Sequence, residues 1–165
     1  LICGAAAYSA FVLYTDRVPY SVVYNRSPSI PVGLYLMHEV SPAKVKVGDI
    51  GCFVYESPEW AKDRKYFPPQ YRLCKPVTAG PGTSISHDGV HLAMHEGGES
   101  IKLGDFAKTD SNGRPLVIAL PPSGVVPENT WLMVASKHSN SFDSRYLGYI
   151  AQHRVNFIAR PLLTW

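Results

Sequence analysis

Only three cysteines occur in 165 residues, Cys3, Cys52 and Cys74, and they match no zinc-ligand spacing, which excludes a thiolate zinc site. Charge is also sparse: 18% of residues are charged and the formal net charge is +3. Basic residues gather nowhere beyond KDRK at Lys62 to Lys65, so the footprint of a nucleic-acid binder is missing. There is no internal repeat and no low-complexity tract, which excludes a solenoid. Long apolar runs are lacking too. The uncharged stretch LICGAAAYSAFVLY, residues 1–14, ends at Thr15, Asp16 and Arg17, short of the roughly 20 residues a spanning helix needs. Because the chain opens on Leu1, we read residues 1–14 as the remnant of a truncated N-terminal membrane-anchor helix, with a buried core helix or a signal-peptide remnant as the alternative.

What is present is apolar and broken into short pieces. Hydrophobic residues make up 45% of the chain, enough for one globular core, so residues 15–165 are expected to form a single domain. The 14 prolines and 13 glycines are scattered throughout and favour a mostly β fold over long helices. Cys52 and Cys74 can pair if their strands are neighbours and the compartment is oxidising; they can equally be free buried thiols.

The segment NRSPSIPVGLY, Asn25 to Tyr35, holds two serines in a backbone suited neither to helix nor to an ordinary strand. Pro28 and Pro31 fix their own φ and push Ser27 and Ile30 towards extended geometry, so Ser29 is expected on a stiff extended segment. Gly33 permits a turn or a close backbone approach that a side chain would block. No helix-initiating G-x-S-x-G elbow surrounds Ser29, so a nucleophile here needs a base from elsewhere.

Further along, Ile50 to Tyr55 reads as a strand after a Gly-Asp turn, and Glu56 to Gln70 as a surface loop or short helix. In Tyr71 to Val77 the odd positions Tyr71, Leu73, Lys75 and Val77 share one face, which puts Lys75 among apolar neighbours. Ile85 to Leu92 reads as a hairpin closed at Asp88-Gly89, Lys102 to Gly113 as loop, Leu116 to Leu120 as a strand and Pro121 to Asn129 as a turn. Trp131 to Ala135 is expected to be a strand, Tyr146 to Phe157 a strand pair, and Phe157 to Trp165 an apolar tail.

A lysine serves as base only when neutral, which means moving its pKa from about 10.4 to between about 7 and 8, roughly 4 kcal/mol. Burial away from carboxylates is the route, and Lys75, with no acidic residue between Lys65 and Asp88, has that setting. Two rivals stand beside it. His87, His91 and His95 recur every four residues as helical metal ligands would, but His87-Asp88-Gly89 reads as a turn. A Ser29-His138-Asp143 triad is chemically admissible, with no support from spacing.

The run S-x-S-I-P-x-G-L-Y at Ser27 to Tyr35 resembles the nucleophile box of the type I signal peptidases, most closely the plasmid-conjugation TraF-type maturation peptidases. RLCKPVTAGPG, Arg72 to Gly82, is similar to that family's lysine segment, and NSFDSRYLG, Asn140 to Gly148, to its closing box. The resemblance implies a signal-peptidase-like β-rich fold and a membrane-anchored serine endopeptidase. It makes Ser29 the nucleophile and Lys75 the base, with an oxyanion hole from the Ser29 N–H and the Ser27 hydroxyl. Ser141 would orient the lysine, and Asp143 and Arg145 would form a structural ion pair, unless they are an ordinary surface salt bridge. The chain departs from the family at Pro28, where glycine is usual, and at Thr83, where aspartate follows the Pro-Gly turn. The resemblance further implies an exported preprotein, a conjugative pilin precursor, as substrate, released linear or cyclised. The active site would lie on the periplasmic side of the bacterial inner membrane, with no cofactor, metal or nucleic acid. A soluble self-cleaving repressor protease fits the apolar N-terminus less well. A non-enzymatic β-rich assembly or binding module of a secretion or conjugation apparatus is the reading from another class.

Overall fold

The computed structural model describes residues 20–165, and the expected anchor remnant at residues 1–14 lies outside them. Among the described residues no helix is long and apolar enough to cross a membrane. The fold is mostly β: β1 (Tyr20–Asn25), β2 (Gly33–Glu39), β3 (Ile50–Val54), β4 (Arg72–Ala79), β5 (Ser84–His87), β6 (His91–Glu96), β7 (Glu99–Asp105), β8 (Ser123–Val125), β9 (Thr130–Met133), β10 (Ile150–Ala151) and β11 (Phe157–Thr164). They form a seven-stranded sheet in the order β1-β2-β11-β3-β4-β9-β10 and a four-stranded sheet in the order β7-β6-β5-β8.

Period-two burial explains how these strands pack. In β4 the residues Leu73, Lys75, Val77 and Ala79 are buried in alternation with more exposed neighbours. Leu73 and Val77 join Phe53, Met133 and Ile158 in one apolar cluster. A second cluster, built on Ile30, Tyr35, Met37, Cys52 and Ala159, supports the serine segment. The smaller sheet closes over a third that includes Ile85, Leu92, Leu103 and Leu132. Fully burying side chains of this size stabilises the fold by about 1.5–3 kcal/mol each. Cys52 and Cys74 face each other across the β3–β4 ladder and are joined by a disulfide.

Several segments depart from the sequence expectation. Leu116 to Leu120 alternates in burial like a strand, but its backbone bonds go elsewhere: Leu116 N–H donates to Lys108 O and Ala119 N–H to Arg145 O, both at 2.9 Å. Lys102 to Asp105, expected as loop, belongs to β7 because Leu103 fills the core and the segment pairs along β6. β8 lies within the expected turn at Pro121 to Asn129 and pairs with β5. Tyr146 to Phe157 is not a strand pair. A short helix, Ser144–Leu147, starts there because the Asp143 carboxylate caps it, accepting from the Arg145 N–H. The expected tail at Phe157 to Trp165 is a strand, β11, laid between β2 and β3.

Candidate active site

The serine segment is a turn, not the extended stretch the prolines suggest. Asn25, at the end of β1, makes it one. Its Oδ1 accepts from the Ser27 N–H at 3.1 Å, an Asx turn, while its Nδ2 donates to the carbonyls of Ser27, Ile30 and Pro31 at 2.7, 3.1 and 3.0 Å. Tyr35 adds a 2.7 Å bond from its hydroxyl to Pro31 O. Gly33 makes the close approach its identity suggested: a Cβ there would come within 2.1 Å of Leu163 O, and its φ is +148°.

Within the turn the serines engage each other. The Ser27 hydroxyl donates to Ser29 Oγ at 3.0 Å, and the Ser29 N–H donates to Ser27 Oγ at 3.4 Å. Both expected oxyanion donors therefore face one another here. The Ser29 hydroxyl receives a hydrogen bond, which leaves its own proton available to a base.

Lys75 sits on the inner face of β4, 4% exposed. Its Nζ donates to Ser141 Oγ at 2.9 Å. Burial lowers its pKa to about 8; the nearby Arg145 charge works in the same direction, and the Asp143 carboxylate opposes both. Behind Ser141 lies a fully buried ion pair, not a surface bridge. Arg145 Nε reaches Asp143 Oδ1 at 2.9 Å and its Nη2 reaches Oδ2 at 2.8 Å. The same guanidinium donates to the carbonyls of Asp105, His138 and Ser141, so it pins the segment that presents Ser141.

Ser27, Ser29 and Lys75 line one cavity of about 510 Å³. The large sheet curls to achieve this, since residues 23–25 of β1 and 72–75 of β4 both reach it, although three strands separate β1 from β4. The oxygen and the amine meet the same space, each hydrogen-bonded to a second serine.

Residues 1–163 match the family model described as signal peptidase, peptidase S26. This chain belongs to the signal peptidase family. Among curated relatives, the conjugal transfer protein TraF of Agrobacterium tumefaciens (strain 15955) is 30% identical over 153 residues, which is 86% of this chain and 81% of the relative. Membership of this family makes the chain a serine peptidase in general terms, with a protein as its substrate class.

The rivals to Lys75 fare differently in this peptidase. His138 lines the cavity, but both oxygens of Asp143 are taken by Arg145 and by the backbone N–H groups of Ala135 and Arg145, so that carboxylate does not orient the imidazole. His87, His91 and His95 lie on two paired strands, not one helix, and bond to Leu120 O, Asp105 and Ser86 respectively. The departures from the family pattern are local: Pro28 lies in the serine turn, and Thr83 closes the turn after Gly82 with its N–H on Gly80 O at 3.2 Å. Sequence reasoning gave no role to Asn25, although an Asn two residues before a serine carries the Asx-turn signal. It also passed over Tyr24, Arg72 and Phe142, which reach the cavity from three separate segments.

Proposed function

We propose that this peptidase is a membrane-anchored endopeptidase in which Ser29 attacks and Lys75 is the base. The observation that carries the reading is a lysine buried by its own fold, its pKa drawn down to about 8, opening on the cavity that holds Ser29. The neutral amine takes the Ser29 proton while Oγ bonds to the scissile carbonyl carbon. Rotation of the Ser27 hydroxyl about one bond turns it from Ser29 to the oxyanion, where the Ser29 N–H joins it. The Lys75 ammonium then gives its proton to the departing amine. Water, deprotonated by Lys75, or an amine of the substrate itself releases the acyl group.

Two strand edges favour an extended peptide here. β4 pairs with β3 from Arg72 onward but with β9 only from Val77, so among the described residues the other edge of residues 72–75 carries no ladder where it lines the cavity. Among the described residues β1 is an edge strand, and its residues 23–25 line the same space. A substrate strand between them would satisfy backbone groups on either side. The conjugal-transfer name of the TraF relative favours a substrate of the conjugation apparatus, and the resemblance of the serine and lysine boxes to the TraF-type maturation peptidases makes a pilin precursor our choice. A periplasmic site on the inner membrane agrees with the Cys52–Cys74 disulfide, a bond typical of oxidising compartments.

The test is cleavage of a purified pilin precursor, with products weighed by mass spectrometry; a water-sized difference separates linear product from ring. Ser29→Ala and Lys75→Ala are expected to fold and to leave the precursor intact. Full cleavage by Lys75→Ala would remove Lys75 as base. A fluorophosphonate that fails to label Ser29 in the unchanged protein would favour the non-enzymatic assembly module.

A further inference from the structure

The cavity is one-sided in charge. Among the described residues its lining includes the basic side chains of Arg72 and Lys75 and the polar residues Asn25, His138 and Asn140, but no aspartate or glutamate. Lys75 is engaged by Ser141. Arg72 is not: among the described residues no carboxylate lies within 4.0 Å of it, and its one side-chain hydrogen bond goes to the Met37 sulfur at 3.9 Å, a weak acceptor. Yet Arg72 is held in place. Its guanidinium carbon stands 4.0 Å from the centre of the Phe157 ring, on the cluster that supports the serine segment. A guanidinium fixed by stacking keeps its planar fork of donors for a carboxylate.

We propose that Arg72 binds a carboxylate of the substrate, and so sets a preference for acidic groups close to the cut. The inference rests on the peptidase reading above. It also answers a difficulty that reading creates. A substrate carboxylate entering this cavity would stabilise the charged form of Lys75 and weaken it as a base. Pairing that carboxylate with Arg72 offsets its field on the lysine. The carboxylate can come from an acidic side chain or from a free chain terminus, and both present the same two oxygens.

The experiment measures binding of fluorescent alanine-rich peptides to the Ser29→Ala protein by anisotropy. One pair differs by Glu against Gln beside the cut with an amidated terminus. A second pair, free of acidic side chains, differs by a terminal acid against an amide. The acidic member of at least one pair is expected to bind about tenfold more tightly, as a charged hydrogen-bonded pair at a part-open site supports. The responding pair identifies the source. Adding Arg72→Ala should erase the difference, Arg72→Glu should reverse it, and the neutral peptides should bind as before. A merely structural Arg72 would change all four peptides alike. Equal affinity within both pairs, including equally absent binding, overturns the proposal. The peptidase reading is judged separately, by fluorophosphonate labelling of Ser29 in the unchanged protein.

Discussion

Lys75 and Ser141 share a hydrogen bond of 2.9 Å with both side chains withdrawn from water. The amine therefore has a fixed position and one good partner, in surroundings that disfavour its charged form.

A pH dependence with a definite sign follows from burial holding Lys75 near 8 against an ordinary 10.5. Below about 8 the neutral fraction falls about tenfold per pH unit, so kcat/KM should climb with that slope from about pH 6 and level off above 8. Stability moves the same way. The unfolded chain binds the additional proton between about 8 and 10.5, so stability is least below that window and grows as pH rises through it. Holding the charge inside costs about 3 kcal/mol at neutral pH. Lys75→Met should thus raise Tm at pH 7, less about 1 kcal/mol for the lost bond to Ser141, and the gain should shrink by about pH 10. A gain that stays constant over that range would count against a titrating amine.

The Asp143–Arg145 pair should behave as a buried unit. Asp143→Asn leaves the Arg145 cation without its paired carboxylate in a site of no exposure, and a loss of about 3–5 kcal/mol in urea unfolding is expected. The double variant Asp143→Asn/Arg145→Met should recover part of that loss. A single-variant loss below about 1 kcal/mol would be the behaviour of a surface pair.

Asn25 is expected to act on turnover more than on folding. Asn25→Asp keeps the acceptor for the Ser27 N–H but turns an oxygen towards the carbonyls of Ser27, Ile30 and Pro31. It should therefore be as harmful as Asn25→Ala, with kcat down about tenfold or more and KM changed less, since small misplacements of a reacting group are costly. Wild-type kcat in Asn25→Asp would show that the turn holds without the amide.

The parts of the site legible in the sequence are those set by local pattern. Period two placed Lys75 on the inner face of β4, and Gly33 announced the close approach that Leu163 makes. Asp88-Gly89 announced its hairpin, with Gly89 at φ +85°. The illegible parts depend on partners far along the chain. Leu116 to Leu120 has a strand's alternation, but among the described residues no strand runs beside it. The prolines argued for an extended serine segment, and one amide side chain outweighed them. Arg72 is an ordinary polar residue in the alternation of β4; only the curl of the sheet brings it to the cavity.

The position of β11 has a consequence for folding. It lies between β2, which follows directly from the Ser29 turn, and β3, the neighbour of the strand bearing Lys75. A folding chain that has not yet docked Phe157–Thr164 lacks the strand that joins those two halves. The serine half and the lysine half of the large sheet therefore come together only through contacts distant in sequence, the kind that loop-closure entropy makes slow to form.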